Sequence, residues 1–215
     1  MQRRGHLVVA VVASVALVLQ FWLVWQGHAV LDDVDPPGRG ERVLRFFGYF
    51  TILSNLLVAG ASWSIAASSD PLTSRLGRVL YVDAVVGITV TGIVHWVLLR
   101  PLLSLDGADW WADKLLHVAV PVLAVAAWLV VGPRGRVRAA DVGWAVVPPV
   151  VWLGYTLARG AVTGFYPYPF LNADNHGYPT VLATCVGVAA LFLALAFGAS
   201  RLDRVLARRV SAPRS

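Results

Sequence analysis

Six long apolar runs fill almost all of this chain, near residues 7–26, 46–66, 79–99, 115–132, 142–160 and 179–199. Each is long enough to cross a hydrocarbon core of about 30 Å as a helix. They use up the 215 residues and leave no room for a separate soluble domain. The expected architecture is all-α: a polytopic integral membrane protein, residues 1–215 forming one bundle of six transmembrane helices with a basic tail at 200–215. A composition that is 58% hydrophobic and 14% charged excludes an ordinary soluble globule.

Charge sets the expected orientation. With the N-terminus inside, twelve of the 18 basic residues fall on the cytoplasmic side, among them Arg3, Arg4, Arg75, Arg78, Arg134, Arg136, Arg138 and Arg201. The other six, Arg39, Arg42, Arg45, Arg100, Lys114 and Arg159, face outward. The positive-inside rule then makes both termini cytoplasmic. Asp32, Asp33, Asp35, Glu41, Asp106, Asp109 and Asp113 gather on the outer side. The tail from Arg201 to Arg209 suits anionic lipid headgroups better than nucleic acid. Cys185 is alone, so no intrachain disulfide is available. The first run exceeds a signal-peptide core and reads as a retained anchor. An Arg-rich, Lys-poor, Ala/Val-rich composition points to a bacterial inner membrane as the location.

Prolines and aromatics mark the irregular places. Pro121, Pro148 and Pro149 should kink their spans, and Pro121 frees the carbonyl of His117. Trp110 and Trp111 suit a membrane interface. The connection 161–178 carries Tyr166, Tyr168 and Phe170 interleaved with Pro167 and Pro169, as a lid or as an aromatic anchor.

The polar residues within the runs share a depth. Thr51 is expected about 9 Å below the outer boundary at ~1.5 Å per residue. His117, His95, Tyr155 and Arg159 approach the same level from three other spans. Thr51, Ser54 and Asn55 stand at i, i+3 and i+4 and share a helix face, as do Asp113 and His117 at i, i+4. A hydroxyl opposite an imidazole backed by a carboxylate has the parts of nucleophile, base and orienting group. In that reading Thr51 and His117 are catalytic, Asp113 fixes the tautomer and Asn55 donates to an oxyanion. Ser54, His95, Tyr155 and Arg159 support the site or bind substrate, Arg159 or Arg100 holding a carboxylate. No metal or cofactor is required. Taken singly, each residue also has a plain structural reading: a hydroxyl bonding its own helix, a packing histidine, a surface carboxylate.

The stretch FFGYFTILSNLL (46–57), the pattern ADKLLHVAVP (112–121) and the loop YPYPFL (166–171) resemble a family of six-helix bacterial membrane proteins. The same layout is similar to the androgen-induced-protein family, which are intramembrane threonine hydrolases. That resemblance implies a threonine–histidine pair at Thr51 and His117, and fatty acid esters of hydroxy fatty acids as substrates. Membrane lipids or lipid esters are then the expected partners, with a homo-oligomer allowed. Two other readings stay open from the residues: a non-catalytic scaffold or small transporter, and a b-type haem protein with His95 and His117 as axial ligands.

Overall fold

Backbone polar groups cannot be left unpaired in an apolar run, so the runs close their hydrogen bonds locally as helices. The computed structural model describes residues 1–28, 37–68 and 70–211. Asp32, Asp33, Asp35 and Arg214 lie outside the described residues. The elements are α1 Gln2–Gln26, α2 Arg39–Gly48, α3 Phe50–Ala67, α4 Arg75–Val94, α5 Gly107–Lys114, α6 Val120–Val131, α7 Ala139–Ala145, α8 Val147–Thr163, α9 Ala173–His176 and α10 Tyr178–Ser211. Single π turns, His95–Leu99 and Leu115–Ala119, extend α4 and join α5 to α6. Among the described residues six helical stretches are long and apolar enough to cross a membrane.

α4 is the centre of the bundle. Its Val82, Val86 and Val90 pack with Ile65 of α3, Trp128 of α6, Val142 of α7 and Phe192 of α10. A second core joins α1, α3 and α6, where Ala13 and Ala16 of α1 are completely buried. Small residues there let the backbones approach closely, the usual means of helix association where apolar burial gives no net drive. Large apolar residues cover the outside, including Val8, Val11, Val15, Val18 and Trp22 along α1. An apolar face of that extent needs lipid or a partner against it.

Three expectations change in the structure. The run 46–66 is two helices: α2 ends at Gly48, Tyr49 is extended, and α3 starts at Phe50. Thr51 therefore stands in the first turn of a helix, not about two turns into one. The run 142–160 is broken at Val146, and Pro148 and Pro149 fall in the first turn of α8, where missing N–H groups cost nothing. The basic tail is a continuation of α10 to Ser211, and Asp203 within it is fully buried, accepting from the Val137 N–H at 2.9 Å.

Candidate active site

The site is built on a helix start. Because α3 begins at Phe50, the N–H groups of its first turn have no partners within the helix. Tyr168, delivered from the 164–171 loop, fills that place: its hydroxyl oxygen accepts the Thr51 N–H at 3.0 Å and lies 3.2 Å from Thr51 Oγ1. The break before α3 is held too, since Trp152 Nε1 donates to the Gly48 carbonyl at 2.8 Å. Burial pushes the Tyr168 phenol above its ordinary range, with the Thr51 contacts pulling it partly back. The phenol is therefore a proton donor at neutral pH.

Across from Thr51 stands His117, with Nε2 3.2 Å from Thr51 Oγ1. Its other ring nitrogen, Nδ1, is 3.0 Å from Asp113 Oδ1 and 3.1 Å from the Asp113 carbonyl. Two oxygens facing Nδ1 put the proton there and leave Nε2 with a lone pair for the threonine hydroxyl. Asp113 is only 5% exposed. Lys114 Nζ donates to its Oδ2 at 2.7 Å, which compensates a carboxylate taken out of water. The expectation that Asp113 could be a plain surface charge is thus replaced by a buried, paired carboxylate.

The π turn at Leu115–Ala119 explains how this face is held. It skips part of the normal hydrogen-bond ladder, a device common at functional sites. Asn55 Nδ2 donates to the Thr51 carbonyl at 2.8 Å and to the Leu116 carbonyl within that turn at 3.3 Å. Asn55 therefore fastens the start of α3 to the segment carrying His117. Its amide N–H groups face carbonyls rather than open space, so the expected oxyanion-donor role does not fit it. Ser54 Oγ donates to the Thr51 carbonyl at 3.1 Å and pairs with Thr91 Oγ1 at 2.9 Å. Gly92 lets α4 approach: a methyl there would meet Pro121 at 3.3 Å and the His117 carbonyl at 3.4 Å.

His95 lies flat on His117, ring centres 3.8 Å apart and planes 11° from parallel. Its Nε2 is 3.3 Å from Asp113 Oδ1. His95, Asp113 and His117 thus offer three ligand-type atoms within 4.8 Å of one another. A metal, however, binds an imidazole nitrogen along its lone pair, in the ring plane. Parallel stacked rings put those lone pairs in planes a ring-stack apart, so one ion cannot lie in both. The same stack leaves no gap for a porphyrin between the two nitrogens, and the bis-histidine haem arrangement does not fit these residues.

Two expected members are elsewhere. Tyr155 is 52% exposed on the outer surface of α8. Arg159 donates to Glu41 Oε1 at 2.6 Å and covers the Phe165 ring at 5.1 Å. It ties α8 to α2 and the loop, and does not reach Thr51. Their position along the span placed them at the right depth, but depth does not determine which way a helix face turns. Asp83 of α4 is buried, and its Oδ2 has no hydrogen-bond partner among the described residues. The sequence pattern placed Tyr168 only in an aromatic lid or anchor, not at Thr51. Its signal was the aromatic–proline alternation of 166–171, too apolar and too irregular to be a mere turn.

Two cavities meet at Thr51. One reaches it from beneath α2, past Arg42, His28 and Asp109. The other lies among α4, α8 and α10 and is walled by Phe50, Trp152, Leu153 and Phe192. Thr51, His117 and Asp113 thus align a hydroxyl, an imidazole and a carboxylate, with the Tyr168 phenol at a helix N-terminus and open space on both sides. Comparison with protein-family models, with curated proteins and with solved structures finds no match for this chain.

Proposed function

We propose that this protein is an intramembrane lipid-ester hydrolase in which Thr51 is the nucleophile and His117 the general base. The observation that carries the reading is the line Thr51 Oγ1, His117 Nε2, His117 Nδ1 and Asp113, with separations of 3.2 and 3.0 Å, at the junction of two cavities. A threonine hydroxyl is a weak nucleophile until such a base takes its proton.

In the acylation step Thr51 Oγ1 bonds to the ester carbonyl carbon while its proton passes to His117 Nε2. Charge develops on the carbonyl oxygen. The Tyr168 O–H and the positive end of α3 are preorganised to receive it. As the ester C–O bond breaks, the imidazolium returns the proton to the departing alkoxide, leaving an acyl-threonine and a free alcohol. Water then gives its proton to His117 as its oxygen bonds to the acyl carbon, and the threonine oxygen leaves with that proton. Asp113 stabilises the imidazolium and holds its tautomer throughout. His95, stacked on the ring, and Asn55, bridging α3 and the π turn, position the pair.

The resemblance to the androgen-induced-protein family adds fatty acid esters of hydroxy fatty acids as the first substrates to try, while charge and composition supply the setting, a bacterial inner membrane with both termini cytoplasmic. The test is ester hydrolysis by purified protein. Wild type should turn over a lipid ester and take a covalent fluorophosphonate label. Thr51→Ala should lose both, and His117→Ala should lose about 10²–10⁴ in kcat. Equal low turnover in all three would refute the hydrolase and favour a scaffold or transporter.

A further inference from the structure

The two cavities at Thr51 are similar in size, about 960 and 900 Å³ of empty space with their open mouths counted, but not in chemistry. Thr51, His95, Leu99 and Tyr168 border both. His117 and Asp113 border only the chamber beneath α2, the more polar of the two, whose largely apolar lining also includes Arg42, Arg45, His28 and Asp109. The chamber among α4, α8 and α10 is almost wholly apolar, and at its rim Val150 and Leu193 are exposed on the outer surface. It opens sideways, toward whatever covers the apolar outside of the bundle.

From this asymmetry we infer that the ester is bound in one orientation, its acyl chain in the dry chamber and its alcohol portion in the polar one. The inference rests on the hydrolase reading above. The departing alkoxide must receive its proton from His117, so the ester oxygen faces the chamber that His117 borders. The second substituent of the carbonyl carbon, the acyl chain, then points away, into the chamber His117 does not touch. The same division serves deacylation. Alcohol leaves and water enters on the polar side, where His117 activates it, while the acyl chain stays seated. An unbranched chain reaching in from the side meets only apolar wall, the common character of pockets that hold long ligands.

Ala189 on α10 and Val150 on α8 line the dry chamber and both have exposed surface, so either accepts a larger side chain without disturbing the core. Leu103 lines the polar one. Ethyl palmitate and cetyl acetate are isomers, the long chain being acyl in the first and alcohol in the second. Ala189→Trp, with Val150→Trp as a second filling variant, should lower kcat/KM for ethyl palmitate about tenfold or more, the scale on which apolar pockets discriminate chains. Turnover of cetyl acetate should stay near wild type, which also shows that the variant folds. Leu103→Trp should reverse the preference. If both isomers suffer alike, or cetyl acetate suffers more in the α8 and α10 variants, the orientation is wrong while the hydrolase stands. If wild type hydrolyses neither isomer and Thr51 takes no fluorophosphonate, the hydrolase reading falls and the orientation with it.

Discussion

Arg3, Arg134 and Arg136, at the end of the bundle where α1 starts and the described part of α10 ends, donate to backbone carbonyls. At the opposite end Thr51, His117, Asp113, Lys114 and Tyr168 bond mainly to one another. Arg3 Nε reaches the Ala66 carbonyl at 2.7 Å, in the last turn of α3. Arg134 reaches the Trp128 and Leu129 carbonyls at 2.8 and 2.6 Å, in the last turn of α6. These are helix C-termini, where carbonyls lack partners and the helix dipole favours a cation. Arg78 and the buried Asp141 pair at 2.8 Å in the same region. Both cavities meet at Thr51 in the other end, the apolar one running from there into the bundle past Val90 and Phe192. Polar burial at one end therefore closes the backbone, and at the other it leaves side chains facing open space. The distinction between scaffold and site lies there, and not in the number of buried charges.

Substitutions should separate the two ends by what they change. Asp113→Asn keeps the shape but presents an amide where His117 needs an acceptor, and should cost about 10³–10⁴ in kcat through the wrong tautomer. Steady-state hydrolysis on monodisperse protein reads this directly. Asp141→Asn does the converse: it leaves Arg78 short of a partner in a buried setting and should cost roughly 3–5 kcal/mol of stability. Thermal unfolding in detergent should show the loss, with turnover per folded molecule unchanged. Were Asp141→Asn to abolish turnover in folded protein, the two ends would not be independent. Tyr168→Phe comes next, removing a donor from the developing oxyanion and the cap of α3, for a loss of about 10²–10³ in kcat. A KM near wild type would distinguish that role from loss of binding.

The sequence pattern carried much of this comparison and missed its pivot. Six apolar runs and the shared depth of Thr51, His95 and His117 follow from periodicity and length alone. Asp113 with His117 follows from i, i+4 spacing. Tyr168 does not, because it reaches Thr51 across 117 residues and its bond is to a helix start that hydropathy does not mark. The run 46–66 carries neither proline nor charge, so the break at Tyr49 was invisible, and with it the placement of Thr51 at the positive end of a helix. The π turns were equally hidden: the missing N–H of Pro121 is plain in the sequence, but not the shift in ladder that lets Asn55 join Thr51 to Leu116. Tyr155 and Arg159 failed for the complementary reason, that spacing gives a common face without saying what the face meets.

The smallest expected change falls on the rim between α2 and α8. Glu41 accepts from Arg45 at 2.9 Å and from Arg159 at 2.6 Å, and the Arg45 contact in particular holds its carboxyl below the ordinary carboxylate range. A lowered pKa stabilises the fold above the unfolded value and loses that contribution as pH falls through the folded one. Glu41→Gln should therefore cost little at neutral pH, below about 1 kcal/mol for so exposed a group. It should also flatten the acid side of the stability profile, with turnover nearly unchanged. A loss of turnover as large as that of Tyr168→Phe would instead mean that the Glu41–Arg159 tie sets the position of the loop and its tyrosine. The rim would then belong with the site rather than with the scaffold.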